Sequence, residues 1–136
     1  PGSRRYPHYN QQALTSSLDA AGIQYVWLRE LGGRRRPRPD SPHMAWRNAS
    51  FRGYADYMDT DAFEQGIDRL SALAEDGRVA LMCSEALWGQ CHRSLISDYL
   101  KVRGHCVIHL LAPNKHEEHP YTAAAQIVDG HLSYAA

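Results

Sequence analysis

A short apolar run, Val79-Ala-Leu-Met82, stops at Cys83-Ser-Glu85, and five residues later the chain reaches Cys91-His-Arg93. A stretch that is apolar at consecutive positions reads as a strand covered on both faces, the situation of a strand inside a parallel sheet. After Ala86-Leu-Trp-Gly-Gln90 a periodic stretch follows, with Leu95, Ile96, Tyr99 and Leu100 on one face and Gly104 as its stop. That spacing predicts a helix whose first turn carries Cys-His-Arg. In open α/β sheets ligands sit beyond the carboxyl ends of strands, where helix N-termini present bare N–H groups. One short segment thus gathers two thiols, an imidazole, a guanidinium and a carboxylate.

The rest of the chain extends the alternation. Asn10 reads as an N-cap for a helix through Ala21, with Leu14 and Leu18 inward and Gly22 as its end. Ile23-Gln-Tyr-Val-Trp-Leu28 has strand character. Leu31-Gly-Gly33 closes that run, and Arg34 to His43, with four arginines and three prolines, reads as an irregular loop. Ser50 to Met58 predicts a short helix. Thr60 or Asp61 caps a longer one with Phe63, Ile67, Leu70 and Ala74 inward, ended by Gly77. Cys106-Val-Ile-His-Leu-Leu111 is the last strand expected, and the polar residues from Pro113 read as loop, with one more turn or short strand over Ala123 to Val128. The fold class expected is α/β: a single three-layer domain whose mainly parallel sheet has Val79 to Met82 at its centre. Residues 1–136 form one domain, with a core over 1–111 and a polar extension over 112–136.

Cys83-Ser-Glu85 after an apolar strand, Cys91-His-Arg93 opening the next helix, Leu31-Gly-Gly33 and the leading Pro1-Gly-Ser-Arg-Arg5 together resemble the domain-of-unknown-function 488 family. The resemblance runs from Pro1 to about Leu111 and implies a small bacterial or archaeal α/β domain without a settled reaction. It also implies a Gly-His-Ser-type strand–turn and an Asp-Val-Arg strand ahead of Pro1, so N-terminal strands are expected to be missing here. If Pro1 to Arg5 follows a sheet strand, Arg4 and Arg5 lie at the same carboxyl edge as Arg93.

Fifteen basic and fifteen acidic residues leave no net charge to draw a polyanion. No apolar run approaches the roughly 18 residues of a membrane span, so no membrane partner is expected. Three cysteines in a chain of ordinary core composition fit a reducing compartment, and the location expected is cytoplasmic.

Cys91, in a helix first turn beside His92 and Arg93, is placed for a stabilised thiolate, partly accessible and quicker to alkylate than Cys106. The alternative is a small buried hydrophobe, and that reading leads for Cys83 and for Cys106. Arg93 opposes its own helix dipole unless an anion compensates it. The anion is either a bound ligand or Glu85 in an ion pair that clamps the loop, and the two readings coexist. The candidate catalytic residues are therefore Cys91, Cys83, Glu85 and His92. The candidate ligand residues are Arg93, Arg4, Arg5, Gly32, Gly33 and Trp88, the last as a stacking face; the Gly-Gly pair reads first as a turn. No metal is expected, because seven residues separate the two thiols and no second close pair exists. No cofactor fingerprint is present.

The function that combines these readings is a small-anion or phosphate-type ligand pocket with a reactive thiol at the carboxyl edge of the sheet. The sequence decides neither whether this is an enzyme nor how the chain assembles. Two alternatives stand beside it. One is a nucleic-acid-associated protein using Arg34, Arg35, Arg36 and Arg38, and the other is an interaction domain in which Cys-His-Arg is a fold clamp.

Overall fold

The computed structural model describes residues 5–136, and Arg4 lies outside them. Four helices follow one another: α1 (Gln11–Ala20), α2 (Ala49–Tyr57), α3 (Asp61–Asp76) and α4 (Arg93–Val102). Two antiparallel hairpins follow, β1 (Ile108–Ala112) with β2 (Lys115–Glu118), and β3 (Gln126–Val128) with β4 (His131–Ser133).

Local chemistry sets the helix ends. Asn48 accepts from the N–H groups of Ser50 and Phe51 and starts α2, and Thr60 accepts from Phe63 N–H and starts α3. At the ends of α1 and α4, Gly22 and Gly104 take positive φ. Ile23 N–H then bonds Leu18 O at 2.8 Å, and His105 N–H bonds Leu100 O at 3.0 Å, which satisfies the last carbonyls.

The three-layer domain with a mainly parallel sheet is not the fold found: both small sheets are antiparallel, and neither contains the strands expected at its centre. Ile23 to Leu28 and Val79 to Met82 carry no ladder, and Val79 and Met82 are exposed. Extended backbone becomes a strand only when a neighbour accepts and donates its hydrogen bonds, and an apolar run cannot say whether that neighbour exists. The strand expected over Cys106 to Leu111 begins instead at Ile108, and its partner is the segment read as polar loop. That hairpin turns at Pro113-Asn114, Asn114 having φ 61°, which suits a type II turn. The second hairpin turns at Asp129-Gly130, both residues with positive φ as a type I′ turn requires.

The core is helical. Tyr54, Ala55 and Met58 of α2, Phe63, Ile67 and Leu70 of α3, and Leu95, Ile96 and Leu100 of α4 pack around Leu31 and Tyr134. Ala74 stays exposed, and α1 buries no residue completely. Truncating the fully buried Leu95 would cost about 2–5 kcal/mol. The arginine-rich loop is drawn onto α2: a Cβ at Gly53 would stand 2.1 Å from Arg35 O, so the loop backbone reaches this distance only because position 53 is glycine. Among the described residues no helix is long and apolar enough to cross a membrane.

Candidate functional site

The loop from Cys83 to Cys91 folds back through a 3-10 turn at Trp88–Gln90, and this turn sets the two sulfurs 3.0 Å apart. Cys91 is buried and Cys83 half-buried. Cys91 Sγ takes the first-turn donors of α4: Arg93 N–H at 3.2 Å and Arg93 Nε–H at 3.4 Å. His92 Nδ1 lies 3.7 Å from the same sulfur. Arg93 Nη2 donates to the backbone carbonyl of Glu85 at 2.6 Å and ties the loop to the helix.

At 3.0 Å the sulfurs share a proton between them. The hydrogen bond from Cys91 holds Cys83 far below the usual thiol range, with help from His92 and the Glu85 N–H, against the opposing effect of burial. The same contact, with burial, pushes Cys91 up despite its Arg93 bonds. The pair thus gives up one proton easily and keeps the second. Arg93, in its unfavourable first-turn position, is met by the Cys91 sulfur and the Glu85 carbonyl.

Gly33 reaches this site from another part of the chain. A Cβ on it would stand 2.7 Å from His92 Nδ1, so the imidazole rests directly on the glycine backbone. The ring also packs against Tyr54, 5.0 Å away, whose hydroxyl donates to Leu31 O. Leu31-Gly-Gly33 therefore supports the histidine beside the sulfurs.

Several sequence-based expectations need correction. Cys91 is not partly accessible but 3 % exposed, while Cys106, expected in the core, is exposed. The Arg93–Glu85 clamp exists through the Glu85 carbonyl, not through a carboxylate ion pair. Trp88 has one face taken: its ring stacks on His109 at 4.1 Å, and its Nε1–H donates to Glu117. Arg5 is exposed and lies over its neighbour Tyr6. Gly32 gives its carbonyl to Arg35 Nε. In the basic loop Arg35 also covers the Tyr57 ring, and Arg38 meets Asp56 and Asp59, which reduces what is left to grip a phosphate backbone.

Cys83, Cys91 and His92 bring three ligand-type atoms within 4.8 Å of one another. Two thiolates on one tetrahedral zinc stand about 3.8 Å apart, given a Zn–S distance of about 2.3 Å. The observed 3.0 Å is shorter than that separation. A groove of about 620 Å³ lies elsewhere, lined by His43, Met58, Asp59, Tyr99, Arg103 and Leu132 among others.

Sequence reasoning missed a buried polar cluster: Asp98, His119, His109, Thr122 and Tyr134. One signal was available, since Asp98 falls three residues after Leu95 on the face that α4 buries. A carboxylate there demands partners.

The family model described as "Domain of unknown function DUF488" matches residues 1–100, which include both cysteines of the pair, His92 and Arg93. No curated protein matches the chain. No solved structure matches it.

Proposed function

We propose that this chain, which belongs to the DUF488 family, is a dithiol protein in which Cys83 is the attacking thiolate and Cys91 the resolving thiol. The observation that carries the reading is the 3.0 Å sulfur pair held under Arg93 and beside His92. A stable thiolate is the nucleophilic form of cysteine, and Cys83 is the more accessible of the two sulfurs. The electrophile is a sulfur of a substrate disulfide. Cys83 attacks it, one substrate thiolate leaves, and a mixed disulfide forms. Cys91 then loses its proton to solvent and attacks Cys83 Sγ, and the second substrate thiolate leaves. The protein dithiol is oxidised by two electrons and the substrate disulfide is reduced to two thiols.

Arg93 Nη1 has no partner among the described residues. It supplies a docking point for an anionic group on the substrate, which keeps the small-anion ligand in the reading. A dithiol needs a compartment that returns it to the reduced state, and the cytoplasm is such a place.

The test is a trapping experiment. With an aromatic disulfide reagent, the parent should release two thiols per chain from the pair and end as a Cys83–Cys91 disulfide. Cys91→Ser should stop at a mixed disulfide on Cys83, found by peptide mass mapping. A parent that labels only at Cys106, with Cys83 and Cys91 still reduced, rejects the reading.

A further inference from the structure

The buried cluster behind Trp88 has a chemistry of its own. Asp98 is completely buried, and its carboxylate accepts at both oxygens. Oδ1 takes His119 Nε2–H at 2.8 Å and Thr122 N–H at 3.0 Å; Oδ2 takes the hydroxyls of Thr122 at 2.6 Å and Tyr134 at 2.8 Å. Burial, with Asp98 beside it, holds the Tyr134 proton firmly in place, so Tyr134 remains a donor. Every lone-pair direction of the carboxylate is used, so the group is an acceptor throughout.

This fixes the histidines in order. His119, also fully buried, commits Nε2–H to Asp98, and its neutral ring presents Nδ1 as an acceptor. His109 Nε2 stands 2.7 Å from that Nδ1, so His109 carries its proton on Nε2 and a lone pair on its own Nδ1. His109 Nδ1 has no partner among the described residues and is not sealed from solvent. Trp88, stacked on the His109 ring with 1° between planes, fixes its orientation. One end of the chain of groups is therefore a buried charge and the other an open lone pair.

The geometry points to a proton relay: His109 Nδ1 accepts a proton from a neutral protic group at the surface, His109 Nε2 passes its own proton to His119 Nδ1, and the charge rests on His119 against Asp98. One N–H bond forms at His109 Nδ1, one proton moves from Nε2 to the His119 ring, and no electrons are exchanged. His109 is thereby a general base for water, a hydroxyl or a thiol docked at the Trp88 edge. Other charges face the pair. Glu117, on the partner strand, draws a proton toward His109, whereas burial, His119 and Arg93 oppose it and lower His109 to about 4. Lys101 donates to the His119 backbone carbonyl. A charge therefore does not stay on His109. The relay does not rest on the dithiol reading, since it uses neither sulfur.

Histidine nitrogen NMR of the full chain tests it directly. At pH 8 both rings should carry their proton on Nε2. On lowering the pH, His109 should switch to the Nδ1–H form in the same step in which His119 becomes an imidazolium. His109 becoming the imidazolium while His119 stays neutral overturns the relay, as does a His109 that keeps its Nε2 proton throughout. Asp98→Asn should uncouple the two rings. If that variant does not fold, His109→Phe keeps a ring under Trp88 but cuts the path, and proton exchange at His119 should slow at least tenfold; an unchanged rate rejects the proposal. Diethyl pyrocarbonate should modify His109 and spare His119, and protection of both would refute an open acceptor end.

Discussion

Removing the Arg93 guanidinium should move the ionisation of the sulfur pair. Arg93 reaches Cys91 Sγ through Nε at 3.4 Å and through its backbone N–H at 3.2 Å, and only the first bond is lost in Arg93→Ala. A hydrogen bond to a charged group contributes about 1.5–3 kcal/mol. Arg93 is half-buried, so solvent screens part of this, and about 2 kcal/mol is a fair figure. The sulfur that Arg93 touches is Cys91, so the ionisation to follow is that of Cys91 with Cys83 replaced by serine; at about 1.36 kcal/mol per pH unit it should rise by roughly 1.5 units when the guanidinium is removed. Thiolate absorbance near 240 nm, followed against pH in Cys83→Ser with and without Arg93→Ala, measures this. Arg93→Ala also loses the bond to the Glu85 carbonyl, so the loop loosens and the 1.5 units is a lower bound. A folded double variant whose titration overlays that of Cys83→Ser would show that the guanidinium does not favour an anionic Cys91 sulfur.

Stability should follow pH in a defined way. The folded pair loses its first proton below the ordinary thiol value of about 8.5 and its second above it. Between the first folded ionisation and about pH 8.5 the unfolded chain holds one proton more, so the contribution of the pair rises with pH; above that the unfolded chain holds one fewer, and it falls. Thermal melts of the parent minus the Cys83→Ser/Cys91→Ser double variant should peak near pH 8.5, and a flat difference contradicts the shared proton. Gly33→Ala should push His92 off its seat, costing about 1–3 kcal/mol by overpacking and slowing Cys83 alkylation; urea unfolding with unchanged stability would contradict the contact. Tyr134→Phe removes one of four donors to Asp98 and should cost about 1.5–3 kcal/mol in the same assay. Asn48→Ala, far from the sulfurs in sequence, should cost about 1 kcal/mol without changing the thiolate titration.

What was legible in the sequence was mostly local. Thr60 as a cap, Gly22 and Gly104 as stops and the 63–67–70 stripe act within one or two turns of their own helices, and α1 to α4 lie near where the sequence signals put them, although the cap of α2, Asn48, went unread. Strand pairing is not local. Val79 to Met82 has the composition of a buried strand, but the hydrogen bonds that define one belong to a neighbour that no local pattern names. Asp129-Gly130 is a dipeptide that favours the two positive φ values of a type I′ turn, but flanking strands of three residues carry too little alternation to announce a hairpin. At the site, the sequence put Cys83, Cys91, His92 and Arg93 in one segment. It left open that the sulfurs meet each other, which depends on how the 3-10 turn at Trp88–Gln90 folds back. The Asp98–His119–His109 cluster joins a helix to both ends of a hairpin, and only the misplaced-looking Asp98 announced it.

The most direct test of the shared-proton pair is the pH dependence of alkylation at each cysteine, read by peptide mass spectrometry after brief exposure to iodoacetamide. Cys106, exposed, is the internal reference and should follow an ordinary thiol, its rate climbing toward about pH 8.5. Cys83 should already react at its plateau rate at pH 6, and Cys91 should remain unmodified until Cys83 is blocked or the chain unfolds. A Cys83 rate that rises in parallel with Cys106 across this range would contradict the account.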